Sequence, residues 1–70
     1  MARFITLHRE ILREGTVVVD VHVNVENITY VTTPFGKSKF TEVHLVSGFV
    51  EVIESPDTVA RLISDALGRR

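Results

Sequence analysis

The sequence predicts an α+β domain, a small and mostly antiparallel β-meander of about five strands followed by one C-terminal α-helix. Three observations predict this fold. Apolar and polar residues alternate with a period of two in several short segments, as half-buried strands require. Turn-forming Gly, Pro, Asn and Ser residues separate these segments. After Pro56 the apolar spacing changes to that of an amphipathic helix.

The first strand is predicted from Phe4 to His8, which is short and apolar. The segment Arg9 to Glu14 places Ile11 and Leu12 among charged residues. It predicts either one helical turn or a wide loop, because periodicity cannot decide over so few residues. Gly15 then interrupts the chain.

The clearest strand is Thr16 to Val25. Valine occupies every odd position from 17 to 25, and the opposite face carries Val18, Asp20, His22 and Asn24. Branched valine side chains suit a pleated surface. We therefore expect the valine face to meet the core and the other face to meet water or a partner.

Three further strands are expected in the middle of the chain. Asn24 to Asn27 interrupts the alternation, and Ile28 to Thr32 resumes it until Pro34, which cannot donate to a ladder. Phe35 to Lys39 is predicted to be a hairpin loop. Two strands follow, predicted at Phe40–Val46 and Phe49–Glu54. A two-residue turn at Ser47-Gly48 connects them.

The C-terminal helix has clear boundary signals. Ser55 can cap free amides, Pro56 suits the first helical position, and Asp57 complements the positive end of the dipole. One apolar stripe follows, formed by Val59, Leu62, Ile63, Ala66 and Leu67. Gly68 is a suitable C-cap. We expect the helix to lie on the valine face or to close one end of a small barrel.

The length of 70 residues allows a single domain over residues 1–70, with an ordered core from about 3 to 67 and a tail at 68–70. Hydrophobic burial at this length nearly cancels the conformational entropy lost on folding. The chain has no cysteine, so disulfides are excluded. We therefore expect further stabilisation from self-association or from a protein partner.

Charge and hydropathy narrow the function classes. Eight Lys and Arg stand against nine Asp and Glu, giving a formal net charge of -1, which disfavours a strongly basic nucleic-acid or membrane-surface protein. No apolar run reaches about 18 residues, so no membrane span is predicted. The first residues lack the apolar region and cleavage site of a signal peptide, so we expect a cytoplasmic protein.

The histidines do not predict a metal site. His22 and His44 could face each other if their strands pair, and Glu42 or Asp20 could add a ligand. The favoured interpretation is two partly exposed strand histidines. His8 has no recognisable partner in the sequence.

No catalytic grouping is evident, and neither enzymatic activity nor a cofactor is predicted. No serine stands in a nucleophile motif. Glu51, Glu54 and Asp57 are interpreted as a solvated acidic rim. The Gly36-Lys37-Ser38 triplet lacks the upstream glycine of a phosphate-binding loop.

A second function class depends on four basic residues. Lys37 and Lys39 occupy the predicted hairpin tip, and Arg9 and Arg13 flank the first loop. A two-stranded ribbon with a basic tip can enter a nucleic-acid groove. Lysines at such positions more often serve solubility, so this alternative is kept but not favoured.

From Ile5 to Ile63 the chain resembles the FlbD family of small bacterial flagellar-associated proteins. The matching positions are Ile5-Thr6-Leu7-His8, Asn24 with Ile28 and Val31, Thr41-x-Val43-x-Leu45-x-x-Gly48, Val52 and Glu54-Ser55. The chain departs at His8-Arg9, where the family has Asn-Gly, and at the insert Glu10 to Thr16. The resemblance implies a bacterial setting and a small β-meander with a helix.

A weaker resemblance links Ile28-Thr29-Tyr30-Val31 and the following hairpin and helix to the C-terminal part of LytTR-type DNA-binding domains. Small phage proteins are a further possible source of such a chain. Together these observations favour a small non-enzymatic module that self-associates or docks on a larger protein. The alternative is a nucleic-acid-binding accessory protein that uses the basic hairpin.

Overall fold

The computed structural model describes residues 3–12, 14–34 and 39–68. Its elements are β1 (Phe4–Leu12), β2 (Thr16–Asn24), a 3-10 turn (Val25–Asn27), β3 (Ile28–Thr32), β4 (Thr41–Leu45), β5 (Gly48–Val52) and α1 (Pro56–Ala66). All strand pairs are antiparallel. The predicted α+β class, with five strands and a C-terminal helix, is confirmed.

The strands form two sheets, a β1-β2 hairpin and a three-stranded sheet in the order β3-β4-β5. A backbone hydrogen bond joins these units, since the Ile53 amide donates to the His8 carbonyl at 2.8 Å. The Val46 amide donates to the Asn27 carbonyl at 3.0 Å, which continues the β3-β4 pairing by one residue. In the part of the chain that the structure describes, the sheets do not close into a barrel. The small barrel considered in the sequence analysis is therefore not found among these residues.

The first strand is longer than predicted. Residues 9–12 continue β1, with Arg9 opposite Val19 and Ile11 opposite Val17, so the prediction of a helical turn or wide loop after His8 was wrong. A nine-residue β2 offers hydrogen-bonding partners along its whole length, and this pairing outweighs weak local preferences. Beyond the pairing, Gly15 takes a φ of 115°, a conformation that glycine adopts at little cost.

The second sheet follows the predicted order with shifted boundaries. Leu45 pairs with Gly48, so the two-residue turn is Val46-Ser47 and not Ser47-Gly48. β5 ends at Val52, and the amide of the following residue, Ile53, bonds to β1. The predicted hairpin tip at residues 35–38 lies outside the described residues.

The hydrophobic core lies where both sheets meet α1. Its most buried apolar side chains are Leu7, Val43, Val52 and Val59, joined by Ile5, Val23 and Val25. The valine face of β2 enters this core only at its C-terminal half, since Val17 is 45% exposed. The hairpin therefore extends beyond the core, which corrects the expectation of a fully buried valine face.

The helix begins and ends as predicted. The Ser55 hydroxyl accepts a hydrogen bond from the Thr58 amide at 3.2 Å, and Pro56 occupies the first turn. Gly68 follows the helix with a φ of 74°. Leu62 and Ile63 pack against the core. Within the described residues, no helix has the length and apolar character needed to cross a bilayer.

Candidate interaction surface

The outer edge of β2 has no strand partner among the described residues. The Val25 amide donates to the Arg3 carbonyl at 2.8 Å, and in the β1-β2 register these residues lie opposite each other. Hydrogen-bonded residues alternate along an antiparallel strand. The odd-numbered residues of β2 therefore bond to β1, and the even-numbered residues from Thr16 to His22 direct their N–H and C=O groups to the free edge.

The same parity is visible on β1. Its even-numbered residues should bond away from β2, and His8 does so: its carbonyl accepts from the Ile53 amide and its amide donates to Glu54 Oε1 at 2.9 Å. One edge of the hairpin is thus attached to the rest of the domain. The β2 edge is the one left open.

Apolar side chains surround the far end of the hairpin on both faces. Ile11 and Val17 lie opposite each other on the face that continues from the core. Val18 and Leu12 lie on the other face and are 52% and 84% exposed. Exposed apolar residues clustered in this way mark surfaces that bind other proteins.

The β2 edge lacks the residues that usually prevent strand pairing. Native edges are commonly protected by lysine, proline, bulges or very short strands. β2 is nine residues long, contains none of Lys, Arg or Pro, and has Asp20 as its one charged residue apart from titratable His22. Its pairing with β1 is continuous in register from end to end. Such an edge is a template for another strand.

A histidine with two carboxylates fixes the base of the hairpin to the helix entry. The His8 Nδ1 atom contacts Glu54 Oε2, and Nε2 lies 3.3 Å from Asp20 Oδ1. Glu54 follows β5, and Asp20 lies opposite His8 on β2. His8 therefore joins three segments that are far apart in the sequence.

These contacts shift two pKa values in opposite directions. The hydrogen bond to Glu54 raises the pKa of His8 above 6.5, against a lowering by desolvation, and the charges of Glu54 and Asp20 add to the rise. Burial raises the pKa of Glu54, but hydrogen bonds from His8 outweigh it and leave that pKa below 4.5. The pair thus favours a charged imidazolium and carboxylate.

The cluster corrects two predictions. His8 was expected to have no partner, and it has two carboxylates. Glu54 was expected in a solvated acidic rim, yet its side chain is 14% exposed and bound to His8. Because both imidazole nitrogens face carboxylates, neither is placed to take a proton from a nucleophile. The geometry suits a structural clamp that orients the hairpin.

The other two histidines lie on different sheets, so the strand pairing that would let them face each other is not formed. His22 Nδ1 lies 3.1 Å from the Thr6 hydroxyl. His44 stacks on Tyr30, with ring centroids 4.2 Å apart, and on Phe49, and its Nε2 lies 3.0 Å from Glu42 Oε1. The described residues contain no group of three or more side chains able to hold a metal.

Of the four basic residues proposed for nucleic-acid binding, the structure describes Arg9 and Lys39. Arg9 is exposed on β1. Lys39 lies 3.6 Å from Glu10 Oε1 and 5.3 Å from the Phe40 ring centroid. The nearby carboxylate reduces the positive field that a phosphate would meet. Arg13 and Lys37 lie outside the described residues.

Comparison of the chain with family models, with curated proteins and with solved structures finds no match. The resemblances to the FlbD family and to LytTR-type domains therefore stay predictions. The surface that sequence reasoning missed is the free edge of β2. Its alternation was recognised, but the edge position depends on which strands pair, and no local signal specifies that.

Proposed function

We propose that this chain is a small non-enzymatic interaction module that self-associates through the free edge of β2. One observation carries the proposal: the outward N–H and C=O groups of β2 have no strand partner among the described residues. A second strand can bond to these groups, and main-chain bonds of this kind provide affinity in strand addition. The apolar end of the hairpin adds area to the same contact.

Energetics favour a second chain as the occupant. A domain of this size has a small core, and its largest fully buried side chains are Leu7, Val43, Val52 and Val59. Binding that is specific to the folded state adds to its apparent stability, and the gain grows with the logarithm of the concentration. Self-association thus provides stabilisation that disulfides, absent here, would otherwise supply.

The test is the native mass by light scattering on a sizing column, measured across a dilution series. Val18→Lys places a charge at the β2 edge, as natural edge strands do. Val46→Lys is the matched control, because Val46 is also exposed but lies in the β4-β5 turn. We expect the wild type and V46K to associate and V18K to be monomeric. A wild type that stays monomeric at high concentration would contradict self-association.

The alternative function is nucleic-acid binding through Arg9, Arg13, Lys37 and Lys39. It predicts affinity that falls steeply with salt, since phosphate contacts release counterions. Fluorescence anisotropy with mixed DNA and RNA at low salt distinguishes the two functions. Because Lys39 is paired with Glu10, we expect no binding to either nucleic acid in this experiment. Salt-sensitive binding that is lost on mutating Lys37 and Lys39 would favour the alternative instead.

A further inference from the structure

We infer that two copies of the chain pair their β2 strands antiparallel about a two-fold axis at Val21, an inference that rests on the proposed self-association. The occupant of the edge is then a second copy of the same strand. A two-fold contact uses the same patch on both subunits, so the patch must complement itself. The β2 sequence can be tested for self-complementarity one register at a time.

Full overlap of the two strands places the axis at Asp20. In that register each Asp20 lies directly opposite the partner's Asp20. Like charges directly opposite are destabilising in a sheet. Asp20 is also the only carboxylate on β2. This register therefore pairs the only carboxylate of the strand with its own copy.

Moving the axis by one residue to Val21 converts this repulsion into attraction. Asp20 then lies opposite the partner's His22, and the partner's Asp20 lies opposite His22. An imidazole can donate a hydrogen bond to a carboxylate that faces it, whereas two facing carboxylates repel each other. Both residues are even-numbered, so both direct their backbone groups to the free edge and form hydrogen-bonded pairs.

The same register matches the apolar face. Val21 lies opposite itself, and Val19 lies opposite the partner's Val23. Val23 is 4% exposed and belongs to the core, whereas Val17, further along the hairpin, is largely exposed. In this register the projecting end of each hairpin lies beside the core of the other copy. This placement explains why valine continues along β2 beyond the core of its own chain.

An axis at Val19, the next odd-numbered position towards the hairpin end, is less favourable. It places Asp20 opposite the partner's Val18 and Thr16 opposite the partner's His22. No carboxylate then faces an imidazole, and the valines pair at the hairpin ends, away from both cores. The Val21 axis is the one that satisfies charge and burial together.

Because the chain has no natural cysteine, single cysteine variants report the register directly. At a Val21 axis the two Val21 residues form a non-hydrogen-bonded pair with Cα atoms about 4.5 Å apart, within disulfide range. Cysteines at position 20 or 22 would be offset by two residues from their counterparts. Their Cα atoms would lie roughly 8 Å apart, too far for a disulfide without backbone movement.

The experiment oxidises V21C, D20C, H22C and V19C at a concentration where the wild type is dimeric by light scattering, and measures disulfide dimer on non-reducing gels. Circular dichroism of the reduced variants confirms that each is folded. We expect V21C to cross-link at least about tenfold faster than the others. Faster cross-linking of D20C or V19C in a dimeric protein overturns the Val21 axis and leaves the proposed self-association standing. A monomeric wild type overturns both.

A charge substitution provides an independent measurement. His22→Glu places a carboxylate opposite the partner's Asp20 at two symmetric positions. Val46→Glu is the matched control, since it adds the same charge in the exposed β4-β5 turn, away from β2. We expect H22E to raise the dimer Kd by about tenfold relative to V46E. Equal dissociation constants for the two variants would also overturn the Val21 axis.

Discussion

His8 and Glu54 are joined by two hydrogen bonds to a single carboxylate. The His8 amide donates to Oε1 at 2.9 Å, and the His8 imidazole contacts Oε2. The residues are 46 positions apart in the chain. This contact connects the β1-β2 hairpin to the start of α1, and it holds the hairpin in a fixed direction relative to the core.

The first prediction is a pH dependence of stability that comes from this pair. The raised pKa of His8 stabilises the fold fully below pH 6.5, and this contribution is lost as pH rises through the folded-state pKa. The lowered pKa of Glu54 contributes above pH 4.5 and is lost as pH falls through its folded value. We expect the pair to stabilise most between these two values.

Urea unfolding of the wild type and Glu54→Gln checks this prediction. Glutamine keeps a carbonyl oxygen for the His8 amide but removes the charge. The difference in unfolding free energy should be largest near pH 5.5 and should shrink as pH rises through the raised pKa of His8. Glu26→Gln is the control, because Glu26 is exposed on the 3-10 turn. An E54Q deficit that is constant between pH 5 and 9 would contradict the assignment.

The His8–Glu54 contact is a feature of this fold that could not be predicted from the sequence. Local patterns predicted the helix and its cap, since Ser55 and Pro56 act within one turn. They also predicted β2 from its strict alternation. The continuation of β1 past His8 depends on pairing with β2, and the partner of His8 depends on how two sheets meet. Both are long-range properties that no short window contains.

The second prediction contrasts two leucines on β1. Leu7 is fully buried and Leu12 is 84% exposed. Leu7→Ala should destabilise the fold by about 2–5 kcal/mol, because it removes buried methyl groups and leaves a cavity. Leu12→Ala should change stability by less than about 0.5 kcal/mol. Chemical denaturation at a fixed concentration measures both, and similar losses would show that the core has been wrongly placed.

The third prediction concerns the ion pair between Lys39 and Glu10. The Lys39 side chain is 73% exposed, and its Nζ lies 3.6 Å from Glu10 Oε1. Exposed pairs of this kind contribute about 0–1 kcal/mol and are screened by salt. Glu10→Gln should therefore lower the unfolding free energy only slightly at low salt, and the difference should disappear at about 1 M NaCl. A larger effect that persists in salt would mean that Glu10 has a structural role beyond this pair.

The last prediction concerns the start of α1. The Ser55 hydroxyl accepts from the Thr58 amide and also bonds to the Thr58 hydroxyl at 2.9 Å. Ser55→Ala removes the acceptor and should cost about 1 kcal/mol, whereas Ser55→Asp keeps one and should retain most of the stability. Ser47→Ala, in the exposed β4-β5 turn, is the matched control. Thermal unfolding followed by circular dichroism ranks the stability of the variants. An S55A protein as stable as S47A would show that the Ser55 cap does not stabilise this helix.

Because Glu54 directly precedes the cap, loss of the cap should also weaken the contact between Glu54 and His8. The unfolding free energy of S55A should therefore depend less on pH than that of the wild type.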